Sequence, residues 1–213
     1  MIKQREVIKK TIKYSTGFSA GALLFKESDS IISQIQSPEA FLAGKEIIPF
    51  NVIPVNSESS QKRLYSEVNK RLKSLGNSRF IYLYQVSNQE DKLLILFYAV
   101  CKTYPIIADF MLTVVLRKWY NMDKEILPFD FQSFLYEQMG NHPELERLTP
   151  ITIKKLSQVV MLMLAELGMQ KDHIITKITF NGEILEEILL NGDNWFLEVL
   201  LLNENERLKI STK

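Results

Sequence analysis

A mainly α protein, a compact multi-helix bundle with a small mixed α/β appendage at its C-terminal end, is predicted by three features of the sequence. Apolar residues recur at three- and four-residue spacing in long windows, as in Leu64, Val68, Leu72 and Leu75. Helix-start residues precede such windows and glycines follow them, as Thr149 and Pro150 precede, and Gly168 follows, the run to Leu167. The chain has 213 residues, 46% of them hydrophobic, enough to fill a core, and its β-prone and turn-prone segments gather toward the end. The body is expected over 1–168 and the appendage, packed on it, over 169–213.

Taken in order, Ser19 is expected to cap a helix through AGALLFKESDSIISQIQ, whose Leu23, Leu24, Ile31, Ile32 and Ile35 form a stripe. SPEAF suits a short helix. EIIPFNVIPVNSESS, with two prolines, reads as an extended connector at about 44–60. SQKRLYSEVNKRLKSLG is helical to a stop at Gly76. RFIYLYQV, 79–86, is open between strand and helix, because aromatic and β-branched residues favour a strand while its neighbours are helical. Ser87 with Glu90 opens the next helix, and Pro105 starts another after a sharp joint. Asp130 is expected to cap FQSFLYEQMG, which ends at Gly140. In KITFNGEILEEILLNGDNWFLEVLLL, two NG turns frame a helix at EILEEILL, and Trp195 to Leu201 reads as β-prone.

The run LLILFYAVCKTYPIIADFMLTVVL approaches the roughly 20 apolar residues that span a bilayer. Lys102, Pro105 and Asp109 interrupt its centre. A charge at mid-membrane costs roughly 2.5–3.5 kcal/mol on insertion scales, so two buried helices of a soluble, cytoplasmic bundle are the expectation, with no membrane partner. A basic N-terminus without an apolar core or cleavage site does not read as a signal peptide, and a single cysteine, Cys101, suits a reducing compartment.

Catalytic chemistry finds no constellation. His142, Glu144 and Glu146 in NHPELERLTP suggest ligands or acid/base groups, yet acids at the start of a short PELER helix have a structural role there, and Thr149 with Pro150 opens the next helix. His142 and His173 stand far apart without cysteine partners, so no metal is expected, and no cofactor fingerprint is present. Cys101 is expected in the core, and Asp109 in a solvent turn or an interhelical hydrogen bond.

A net charge of +1 conceals an uneven distribution. Residues 1–26 hold Lys3, Arg5, Lys9, Lys10, Lys13 and Lys26 against Glu6 alone, and residues 62–79 hold Lys62, Arg63, Lys70, Arg71, Lys73 and Arg79 against Glu67 alone. The end reverses the sign, with Glu183, Glu186, Glu187, Asp193, Glu198, Glu204 and Glu206. Tyr14, Ser15, Thr16, Ser19 and Tyr65 lie among the cations, and hydroxyls beside Lys and Arg are the groups that hold phosphate oxygens.

Three stretches, KYSTGFSAGALLFKES, LLILFYAVCKTYPIIADF and NHPELERLTPITIKKLSQVVMLMLAELG, together resemble the BrxA family of the BREX bacteriophage-exclusion systems, once described as inner-membrane proteins. The resemblance runs from about Lys13 to about Leu200; Asn141 is a small departure from the family's pattern, where an aromatic or other residue is expected. It implies a soluble, largely helical, NusB-like protein that binds double-stranded DNA as a non-enzymatic accessory of a multi-protein defence system, with other BREX components as partners. It assigns no contact residues, so the expected phosphate contacts are those of the basic segments: Lys9, Lys10, Lys13, Lys62, Arg63, Lys70, Arg71 and Lys73. They form one surface only if the N-terminal arm lies beside the 61–75 helix. The alternative is a protein–protein adaptor with an acidic docking tail. Oligomeric state and DNA sequence preference stay open.

Overall fold

The computed structural model describes residues 13–211. Among them the regular elements are helices except for one two-stranded antiparallel sheet, and a single buried cluster runs from Tyr14 to Leu202. The first helices are α1 (Phe25–Ile32) and α2 (Pro38–Leu42), the latter capped by Ser37 accepting from the Ala40 N–H. The connector to α3 (Glu58–Ser74) holds only a 3-10 turn at Phe50–Val52. Then come α4 (Arg79–Val86), α5 (Gln89–Thr103) and α6 (Pro105–Phe110), which runs through a π-helical turn at Met111–Val115 into α7 (Leu116–Tyr120). The body closes with α8 (Pro128–Met139) packed on α9 (Pro150–Leu167).

α9 follows its sequence signals closely. Thr149 accepts from the Thr152 N–H at 3.2 Å, Pro150 takes the first position, and Gly168 ends the helix at φ 82°. Leu156, Val160, Met163, Leu164 and Leu167 are buried, with Val159 half-buried against them. α5 and α6 meet at 104°, and no single helix among the described residues is long and apolar enough to cross a membrane. Cys101 is buried in α5, and burial pushes its thiol well above the ordinary range.

Several expectations need correction. Ser19 caps nothing: Gly17–Ala20 is a 3-10 turn, and α1 begins only after Leu24, whose φ of 55° redirects the chain. The open segment 79–86 is a helix, because Phe80, Ile81 and Tyr84 share one helical face and are buried. The cap of α5 is Asn88, accepting from the Asp91 N–H, rather than Ser87. Asp130 sits one turn inside α8 and accepts from the Leu127 N–H at 2.7 Å. Trp195–Val199 is helix α11, not a strand, since Phe196, Leu197 and Val199 dock into the core from one short turn.

The sheet lies just after α9. β1 (Gln170–Lys171) and β2 (Ile174–Ile175) turn on Asp172 and His173, both at positive φ as a tight two-residue hairpin requires. β2 also bridges Glu125. Asn181 caps α10 (Gly182–Leu190) and Gly192 follows it at φ 80°, so both NG pairs punctuate that helix; α12 (Glu204–Ser211) ends the described chain.

Candidate nucleic-acid interface

α3 has two faces of opposite character. Leu64, Val68 and Leu72 are buried, joined by Leu75 just beyond the helix, and pack toward α5. Lys62, Arg63, Lys70 and Lys73 are exposed. At 100° per residue these four lie within an arc of about 100°, together with Ser59 and Ser66, and span about 16 Å along the axis. Lys62 pairs with Glu58 at 2.6 Å, a contact open to solvent, and its ammonium lies 5.1 Å from the Phe50 ring centroid. Among the described residues Arg63, Lys70 and Lys73 make no ion pair. Lys70 lies over the ring of Tyr104 at 4.5 Å.

Arg71 does not belong to this arc, which corrects its assignment as a phosphate contact. It is 3% exposed, donates to Glu67 at 2.6 Å, and gives further hydrogen bonds to the carbonyls of Ala22 and Gly21. Its guanidinium fastens the N-terminal strand of chain to α3. Tyr104 completes the joint, donating its hydroxyl to Glu67 at 2.7 and 2.8 Å. Burial, and then the Glu67 carboxylate, hold that hydroxyl above its ordinary pKa.

Lys9 and Lys10 lie outside the described residues. Lys13 is exposed at the start of the described chain, and from there residues 14–23 cross the bundle as a strap. Tyr14 is buried with its hydroxyl on Asp109, so it is not one of the phosphate-holding hydroxyls that its place among lysines suggested. The same bond gives Asp109 its partner, which is a loop residue and not a second helix. Phe18 packs edge-on against Tyr104 at 5.4 Å, and the Leu23 N–H donates to Glu166 at 2.9 Å. The segment 17–23 therefore lies against α3 through Arg71, and against Tyr104 through Phe18.

The stretch around His142 is more than a helix entrance. His142 is buried and stacks on Tyr14, with ring centroids 3.8 Å apart, and Glu144 accepts the Tyr14 N–H at 2.6 Å. Burial alone would raise the Glu144 carboxyl, but its own backbone N–H, that of Tyr14 and the nearby His142 outweigh it and hold the pKa low. Among the described residues no group of three His, Cys, Asp or Glu side chains could hold a metal. Several acids of the C-terminal end have partners within the fold: Glu183 pairs with Arg79, Asp193 with Lys102 and Glu206 with Lys177, while Glu187 accepts from Asn77.

Residues 12–190, most of the chain, match the BrxA family profile. The chain belongs to the BrxA family. It is 26% identical over 206 residues to the BREX protein BrxA of Bacillus cereus (strain H3081.97), covering 94% of this chain and 99% of that one. A second BREX protein BrxA, from Escherichia coli O9:H4 (strain HS), is 28% identical over 152 residues, 70% of each chain. In fold, this BrxA-family chain is similar to the crystal structure of an uncharacterized protein from Magnetospirillum magneticum, with a TM-score of 0.73 at 18% identity over 89% of this chain and 98% of that one.

Proposed function

We propose that this chain is a non-enzymatic, cytoplasmic accessory protein of a BREX phage-defence system that binds double-stranded DNA through its phosphates and works beside other BREX components. The observation that carries the DNA reading is the arc of Lys62, Arg63, Lys70 and Lys73 on a helix whose opposite face is fixed in the core. A rigid helix holding four cations along one edge meets a regular polyanion without reordering itself. Lys13 and the undescribed Lys9 and Lys10 extend the surface in this reading, as part of a body over 1–168 with the appendage 169–213 packed on it.

Phosphate contacts position a protein without reading bases, and the arc offers lysines, one arginine and serines rather than a base-reading set. Binding is therefore expected to be nearly independent of DNA sequence. Four contacts give a slope of roughly −3.6 for the logarithm of affinity against the logarithm of salt. Replacing Arg63, Lys70 and Lys73 by Ala together is expected to weaken binding to unrelated duplexes equally and to flatten that slope. A variant with wild-type affinity and slope removes α3 from the interface.

The adaptor reading has one observation of its own. Phe129 and Tyr136 on α8, and Ile151 and Leu162 on α9, are large apolar side chains left exposed on two helices that pack together. The acidic tail supports it less, given the internal partners of Glu183, Asp193 and Glu206.

A further inference from the structure

The strap of residues 14–23 runs between α3 and α9, and hydrogen bonds mark both of its flanks. On one flank Arg71 donates to the Gly21 and Ala22 carbonyls. On the other, Glu166 of α9 accepts from the Leu23 N–H, and Glu144, just ahead of α9, accepts from the Tyr14 N–H. The strap therefore follows α9 from its start to its end, and the Gly17–Ala20 turn within it packs on both helices.

These contacts fix which side of each helix borders the strap. At 100° per residue Lys155 lies about 20° from Glu166 around α9, so it stands on the strap side. Lys154 is about 100° away and is turned toward α8, whose Gln132 donates to Ser157 at 3.2 Å, about 60° from Lys154. Both lysines are exposed, and neither makes an ion pair among the described residues. Glu166, the acid on the strap side, lies about 16 Å farther along the axis and already holds the Leu23 N–H.

On α3 the same reckoning starts from Arg71. Arg63 and Lys70 lie about 80° and 100° from it, whereas Lys73 and Lys62 lie about 160° and 180° away. Tyr104 shows that Arg63 and Lys70 are on the strap side: Lys70 lies over its ring, and a Cβ at Gly17 would come within 3.0 Å of its hydroxyl oxygen. Nothing bulky separates the two rows of cations. Phe18 is the one large side chain of residues 15–21 and is fully buried, and the rest are Ser, Thr, Gly and Ala.

We infer that Lys155 is a further phosphate contact and that the strap is the floor of the DNA site: one duplex lies over it, held by Arg63 and Lys70 from α3 and by Lys155 from α9. This rests on the DNA-binding reading above and turns its single helix edge into a two-sided seat. A duplex carries two phosphate backbones, separated by grooves about 6 and 12 Å wide, so cations on two flanks meet phosphates that one helix edge leaves unmet. The fifth contact steepens the expected salt slope from roughly −3.6 to roughly −4.5.

The test sets two adjacent lysines against each other. Affinity of the full chain for a short duplex of random sequence is measured at several salt concentrations, with urea unfolding alongside, for wild type, Lys155→Gln, Lys154→Gln and the variant with Arg63, Lys70 and Lys73 all Ala. Lys154→Gln and Lys155→Gln remove the same charge from neighbouring exposed positions, so an effect of net charge alone moves them equally. Lys155→Gln is expected to weaken binding several-fold and to flatten the slope by about 0.9, and Lys154→Gln to do neither. Lys155→Glu is expected to weaken binding further, and saturation is expected at one duplex per chain. Equal effects at the two lysines, or wild-type affinity in Lys155→Gln while the α3 variant is weakened, overturns the inference and leaves the DNA reading standing. A second duplex per chain, lost in Lys155→Gln alone, assigns Lys155 to a separate site and overturns the shared seat. A loss in Lys155→Gln with none in the α3 variant removes α3, and the two-sided seat with it. A wild-type chain that binds no duplex at any salt overturns the DNA reading and this inference together.

Discussion

α3 and the segment from α10 onward both look, in sequence, like runs of one charge, and the fold treats them in opposite ways. Along α3 the cations Arg63, Lys70 and Lys73 face water without an ion partner among the described residues, and only Arg71 turns inward. Along the C-terminal segment the acids reach back to the body: Glu183 to Arg79, Glu187 to Asn77, Asp193 to Lys102 and Tyr98. The difference lies in what each charged face meets. Among the described residues no element covers the outer arc of α3, whereas α10 and α11 sit on α4 and α5 and meet their polar edges. A charge run identifies a surface for another molecule only when the fold leaves it uncovered.

The largest effect is expected at the α3 cation that does not face water. Arg71→Ala leaves the nearly buried Glu67 carboxylate without its cation, with the Tyr104 hydroxyl still donating to it, and the carbonyls of Gly21 and Ala22 without the guanidinium. Removing one partner of a buried ion pair costs about 3–5 kcal/mol, so a stability loss of that size in urea unfolding is expected, against little change for Lys73→Ala. Equal, small losses at both positions would mean that Arg71 belongs with the surface arc after all.

Arg71 also marks where sequence reading could have gone further. It stands three residues after Val68, seven after Leu64 and four before Leu75, which is the apolar side of α3. Charge alone groups it with Lys70, although one helical step separates an outward from an inward position. The helices themselves were legible because apolar spacing and caps are local signals, as α9 illustrates from Thr149 to Gly168. What was not legible depends on contacts between distant parts of the chain. Tyr14 and Asp109 are 95 residues apart, and nothing near either announces the other. Trp195 to Leu201 misled for a related reason: its β-branched and aromatic content suits a strand, but docking onto Tyr98 and Phe97 through Phe196 decides for a helix.

The acidic side of the comparison sharpens at Asp193. Its carboxylate accepts from Tyr98, from Lys102 and Asn191 at 2.9 Å each, and from the Trp195 indole at 2.9 Å. Burial alone would raise this carboxyl, but the four donors outweigh it and hold it below its usual value. Asp193→Ala is expected to cost roughly 1.5–3 kcal/mol at neutral pH, the range for hydrogen bonds to a charged group. A depressed folded pKa stabilises above the unfolded value, and that contribution is lost as pH falls through the folded one. The gap between wild type and variant should therefore close in acid; a gap constant with pH would trace the loss to packing instead of charge.

The smallest effect is expected where the two regions meet on the surface. Arg79 and Glu183 join α4 to α10 at 2.6 Å, but their side chains are 52% and 57% exposed. Water competes for both groups, and ordering two long side chains offsets the attraction, so exposed pairs contribute about 0.2–1 kcal/mol. Glu183→Gln is expected to lower stability by no more than that, less at high salt, and to leave duplex affinity unchanged. A rise in duplex affinity would be the informative surprise. It would mean that Arg79, freed from its acid, joins the cations of α3, and that the acidic segment limits the DNA-binding surface as well as packing on the body.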